Sequence, residues 1–138
     1  MRNNIFFYIL ILIFLIISCD KNNPTEHQKE ISYDGLWKGN FSSGDLSTCE
    51  FNVKNNYVTN FSVSQPTDLG LKFYSYTINE QILSDGSFKG SGSKNGYPNL
   101  EVNGKFTSER KATGSIKLTG AVMTWIEVGS GNWSATKN

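Results

Sequence analysis

The 138-residue chain holds one histidine, His27, two cysteines, Cys19 and Cys49, and three prolines. A single histidine builds no His-based metal cluster, and its place in a polar stretch near the N-terminus removes a Ser-His triad from the domain that follows. Ala, Leu, Glu and Arg, which dominate helical domains, are scarce, whereas Gly, Ser, Thr, Asn and aromatic residues are plentiful. That balance points to an all-β protein. Charge of one sign is also lacking: 13 Lys and Arg stand against 12 Asp and Glu. Nucleic acid, which requires clustered cations to displace its counterions, is not an expected partner. The longest apolar run, Ile5 to Ile17, spans thirteen residues, too short for the roughly 20 that a helix needs to cross a bilayer core of about 30 Å. With no nucleophile motif and no metal-ligand spacing in the domain, no catalytic, metal or cofactor site is expected.

What precedes and follows that apolar run gives it a meaning. Met1-Arg2-Asn3-Asn4 supplies one positive charge ahead of it, the arrangement of an n-region and an h-region in a secretory signal peptide. The stretch Leu15-Ile16-Ile17-Ser18-Cys19 resembles the bacterial lipobox, in which an aliphatic residue, a small residue and a cysteine direct diacylglyceryl attachment and cleavage. The resemblance implies a signal peptide over residues 1–18 and lipid attachment at Cys19, a thioether-linked diacylglycerol with an acylated amine. The membrane then becomes the first expected partner, held by several buried chains at about 0.8 kcal/mol per CH₂. Asp20 favours the inner membrane in enterobacteria-like sorting, whereas the Asn, Lys and Ile bias hints at an AT-rich genome with different rules; both membranes stay open, the outer favoured. Loss of Arg2 with the leader leaves twelve positive and twelve negative residues, a formally neutral mature chain.

Residues 19–33 are polar after the cysteine and contain Pro24, so they read as a flexible tether. From residue 34 to 138 the length suits one domain. There the apolar residues recur at spacing two, interrupted every eight to twelve residues by Gly, Asn, Asp or Ser clusters, the pattern of about eight short antiparallel strands. The clearest is Thr48 to Lys54, with Cys49, Phe51 and Val53 on one face. Cys49 has no partner once Cys19 is lipidated, and is expected as a buried free thiol. An odd-numbered turn at Lys54-Asn55-Asn56, with Asn56 at positive φ, would pair Val53 with Tyr57 and Cys49 with Phe61.

Asn99 to Thr107 and Ala112 to Thr119 are expected to form a second hairpin. Parity pairs Phe106 with Ala112, Val102 with Ile116 and Leu100 with Leu118, leaving Gly104 opposite Gly114, a gap that a sharp bend or an aromatic ring must fill. Further strands are expected at Leu36–Ser42, Tyr57–Ser64, Leu71–Asn79, Gly86–Ser91, Val122–Val128 and Asn132–Thr136, with a longer connection over Gln65–Gly70 and a last hairpin turning at Ser130-Gly131. Short connections favour a meander that closes as an up-and-down barrel, preferred here over a β-sandwich.

Gly35-Leu36-Trp37-Lys38-Gly39, Asp85-Gly86-Ser87-Phe88, Ala112-Thr113-Gly114-Ser115-Ile116 and Asn132-Trp133-Ser134-Ala135 follow one another in order. As a set they resemble a family of small secreted bacterial domains of unassigned function that open on Gly-x-Trp-x-Gly and close on Trp. The opening is also similar to that of lipocalins and avidins, which implies a barrel shape in which Trp closes the base. Members of the small secreted family often carry paired cysteines, which this domain does not.

Three carboxylates, Glu50, Glu101 and Glu127, sit on expected strands and form the basis of an alternative reading, a carboxylate-dependent carbohydrate-active hydrolase. Each alternates with apolar neighbours and is expected on the solvent face. Asp85-Gly86 reads as a turn. Aromatics are the better candidates for a ligand site: Trp125 first, placed opposite Ile126, Val128 and Trp133 by the last hairpin, with Tyr74 and Tyr76 behind it. The leading expectation is a non-catalytic, lipid-anchored cell-envelope protein whose β-domain binds a glycan, a small hydrophobic ligand or an envelope partner.

Overall fold

A computed structural model describes residues 31–120 and 127–138. It contains eight antiparallel strands: β1 (Gly35–Phe41), β2 (Thr48–Lys54), β3 (Tyr57–Thr67), β4 (Gly70–Gln81), β5 (Ser87–Gly92), β6 (Asn99–Ser108), β7 (Lys111–Thr119) and β8 (Glu127–Lys137). The hydrogen-bonded order is β4-β3-β2-β1-β8-β7-β6-β5. Because β8 pairs with β1, the meander curls into a nearly closed, all-β barrel, and the seam falls between β4 and β5.

Along that seam side chains meet backbone. Gly90 leaves room for the stem of Glu80 and Gly92 for the ring of Tyr76, while the Tyr76 hydroxyl donates to the Pro98 carbonyl at 2.7 Å.

Alternation along the strands places one apolar face inward, and large rings fill the middle. Phe51 stacks on Phe61 with ring centroids 5.2 Å apart and on Trp37 at 5.9 Å. Trp133 meets Phe51 edge-on at 5.5 Å, and Phe106 meets Trp37 edge-on at 4.8 Å. Such pairs contribute about 0.5–1.5 kcal/mol each beyond the area they bury. Trp37 is fully buried and closes the end at which the chain enters the barrel. Its indole donates to the Tyr33 carbonyl at 2.9 Å, and Tyr33 itself stacks on Phe106 at 4.4 Å. Tyr33, the last residue of the expected tether, is thus part of the closed end.

The β6–β7 hairpin has the expected register, with Phe106 opposite Ala112, Val102 opposite Ile116, Leu100 opposite Leu118 and Gly104 opposite Gly114. A β-carbon at Gly104 would run into the Phe88 and Trp133 rings, and one at Gly114 into Trp133. The aromatic ring that the paired glycines demand is therefore Trp133, with Phe88 beside it. Cys49 is buried and free, and burial pushes its thiol up to about 12.

Three expected connections are corrected. The β2–β3 turn holds two residues, with Asn55 at φ 52° and Asn56 at φ 64°, so Val53 pairs with Val58, and not with Tyr57. An odd-numbered turn follows from parity only in an uninterrupted ladder, and this ladder is interrupted. A β-bulge at Asn60, φ 51°, adds one residue to β3, brings Phe61 opposite Phe51 and Val63 opposite Cys49, and so keeps both apolar sets inward. The Gln65–Gly70 connection is also shorter than expected: β3 runs on to Thr67 and β4 starts at Gly70, leaving a two-residue turn.

The third correction concerns Ser130-Gly131, which do not turn. They lie inside one strand, β8, that pairs with β7 from Glu127 to Thr136 and with β1 from Trp133 to Lys137. The glycines there are close-packing positions: Gly129 faces the Leu46 side chain, and a β-carbon at Gly131 would meet Phe41. Residues 121–126, part of the expected strand Val122–Val128, lie outside the described residues.

Candidate functional site

The strand directions sort the barrel into two ends. At the entry end lie residues 31–34, the Asn55-Asn56 turn, the 82–86 connection and the β6–β7 turn. The carboxylate of Asp34 accepts from the backbone N–H of Asn55 at 3.1 Å and of Asn56 at 3.4 Å, so it pins the entering chain to the barrel. The opposite end carries the 42–47 loop, the β3–β4 turn, the 93–98 loop and the start of β8.

Of the residues expected to line a ligand site, Trp125 lies outside the described residues, as does Cys19. A last hairpin at Ser130-Gly131, on which the expected facing of Trp125 depends, does not form. Tyr74 and Tyr76 are brought together, on the inner face of β4 near the far end, and both are buried. Tyr97, from the loop after β5, meets them edge-on at 5.6 and 6.1 Å. Their hydroxyls are spent on the fold: Tyr74 donates to Gln65 Oε1 at 3.2 Å and Tyr76 to the Pro98 carbonyl. Burial, with Tyr74 and Tyr97 nearby, raises the Tyr76 hydroxyl above its ordinary range. Lys72 and Lys94 lie over the Tyr74 and Tyr97 rings, at 5.2 and 4.7 Å.

Glu50 and Glu101 do not come together. Glu50 is on β2 and Glu101 on β6, half-way round the barrel from one another, and both are exposed on its outside. Glu50 is paired with Lys38 at 3.4 Å. Nothing is described of the Glu127 side chain, at the start of β8. Asp85 does what a turn residue does: its carboxylate accepts from the Ser87 hydroxyl at 2.6 Å and the Ser87 N–H at 3.0 Å. These bonds, with Lys105 nearby, hold its carboxyl below the usual range.

Two features that no expected site includes stand on the outside. The first is the arm made by the β3–β4 turn, where Leu69 is fully exposed and Leu71 and Phe73 are more than half exposed. Pro66 stands opposite Leu71 on the neighbouring strand. Leu71 and Phe73 have the parity opposite to Tyr74, Tyr76 and Ile78, the set that forms the core. The second is an open groove of about 620 Å³ across β6, β7 and β8, floored by Gly104, Gly114 and Trp133 and walled by Asn103, Ser115 and Asn132 among others.

Within that floor Trp133 is buried, and its Nε1 has no hydrogen-bond partner among the described residues. An unmet buried donor costs about 1–3 kcal/mol. The ring edge that carries it presses on Gly114, whose missing side chain makes the space. A second depression, about 360 Å³, shares Thr113 and Ser134 with the first and continues toward Lys38 and Thr107 at the entry end. Compared with protein-family models, with curated proteins and with solved structures, the chain finds no match in any of the three.

Proposed function

We propose that the chain is a non-catalytic, lipid-anchored cell-envelope protein that holds a glycan or an envelope partner on the outside of its barrel. One observation carries the choice of the outside: rings fill the barrel's middle, while Leu69, Leu71 and Phe73 stand exposed at the end opposite the chain's entry. A lipid at Cys19, joined through residues 20–33 to the entry end, would leave that far end free to meet other molecules. Exposed apolar clusters of this kind mark interaction sites more often than chance.

Two experiments test the reading. Metabolic labelling with a clickable fatty acid should mark the wild type and not Cys19→Ala; equal label on both rejects the anchor. Photo-reactive residues placed singly at Leu69, Phe73 and Thr113 in producing cells should give a discrete adduct from at least one position. No adduct from any of the three rejects binding through the outer surface.

A further inference from the structure

We propose that the outer wall of β6, β7, β8 and β1 is a groove for a neutral oligosaccharide; this rests on the surface-binding reading above and names its ligand. The first argument is the supply of unspent hydrogen-bonding groups. The side chains of Asn103, Thr113, Ser115, Asn132 and Ser134 line the groove, and among the described residues none of them bonds to the protein. Amides and hydroxyls, each able to donate and accept, match the alternating donors and acceptors of sugar hydroxyls.

Charge and shape narrow the class. Lys105, at the wall, is paired with Asp85 at 3.5 Å, and Lys38, at the continuation, with Glu50. Carboxylates thus offset two of the three lysines along the groove and its continuation, and Lys111 is left as a single uncompensated charge among the described residues, too little to select an anionic chain over a neutral one. Among the described residues no apolar side chain is exposed along the walls, which disfavours an acyl chain or an apolar peptide. The first depression, about 620 Å³ and open to solvent, shares Thr113 and Ser134 with a second of about 360 Å³, so the two adjoin on the outer wall and leave room for more than one sugar ring. The floor between the polar side chains is the strand backbone at Gly104 and Gly114.

Trp133, in the same floor, makes the groove observable, since a ligand there alters the surroundings of its indole.

The test uses the full chain in detergent on an array of immobilised neutral and acidic oligosaccharides. Wild type is expected to bind neutral members, with a shift of tryptophan emission when the same sugar is added in solution. Asn103→Ala with Asn132→Ala should weaken that binding at least tenfold at an unchanged melting temperature. Ser62→Ala with Ser75→Ala, on the outside of β3 and β4, should leave it intact. No neutral glycan bound, a preference for acidic ones, or full binding by the Asn103/Asn132 variant overturns the groove. If the groove fails while Leu69 or Phe73 still captures an adduct in cells, the surface-binding reading survives without it; if binding on the array holds while those positions capture nothing, the groove alone carries the function.

Discussion

Val53 faces Val58 across the β2–β3 ladder, and the two residues that turn between Lys54 and Tyr57, Asn55 and Asn56, both have positive φ. That combination is the type I′ turn, whose twist matches the strands it joins. Asparagine tolerates the left-handed region; alanine pays about 1–2 kcal/mol there. Asn55→Ala should therefore lower the unfolding free energy by about that amount, whereas Asn55→Gly should change it by less than about 0.5 kcal/mol. Urea denaturation of the three proteins checks this, and equal stability of the Ala and Gly variants would contradict the turn.

Gly104 and Phe88 provide a packing test. A methyl group at Gly104 has nowhere to go, because the Phe88 and Trp133 rings occupy the space. Gly104→Ala should cost about 1–3 kcal/mol, the usual penalty of overpacking, and Phe88→Leu in the same chain should return part of it. A double-mutant cycle by thermal or urea unfolding measures the coupling. Strict additivity would mean that the ring does not fill the glycine gap.

Cys49 makes stability depend on alkaline pH. Its ordinary value of 9.0 is raised to about 12 by burial, so between those values the unfolded thiol loses its proton while the folded one keeps it. Stability is full below pH 9 and falls as pH rises toward 12, at up to about 1.4 kcal/mol per pH unit from this group. Tyr76 shifts in the same direction and adds to the loss above pH 10. Cys49→Ala should be less stable at pH 7, by a cavity cost, yet lose less between pH 9 and 10. Parallel curves for the two proteins would show that the thiol does not titrate as its burial demands.

Leu71 and Phe73 should behave as surface residues despite their chemistry. Leu71→Ser and Phe73→Ser remove apolar groups that are more than half exposed, so each should move stability by about 0.5 kcal/mol or less. A core position loses about 2–5 kcal/mol on comparable truncation, and Val63→Ala, on the inner face of β3, serves as the contrast. A large loss at Phe73 would place it under a covering segment.

Alternation along the chain is enough to give the strand class, most strand positions and the register of the β6–β7 hairpin from Leu100 to Phe106. Thr48–Lys54 matches β2, and parity alone placed Gly104 opposite Gly114, because alternation with period two survives any arrangement that buries one face of a sheet. It also marked Cys49 as a buried thiol, since its neighbours at spacing two are Phe51 and Val53. Tertiary structure decided the rest, for reasons that local patterns do not carry. Gly129 and Gly131 have the composition of a turn but lie inside β8, because closing the barrel brings Leu46 and Phe41 against them. The bulge at Asn60 exchanged one parity for another within β3, as only the joint demands of β2 and the core require. The groove likewise comes from pairing between strands: Asn103, Ser115 and Asn132 lie on β6, β7 and β8, so no stretch of the chain taken alone holds it, whereas the arm is one contiguous stretch of which the tertiary structure decides only that Leu69, Leu71 and Phe73 stay exposed.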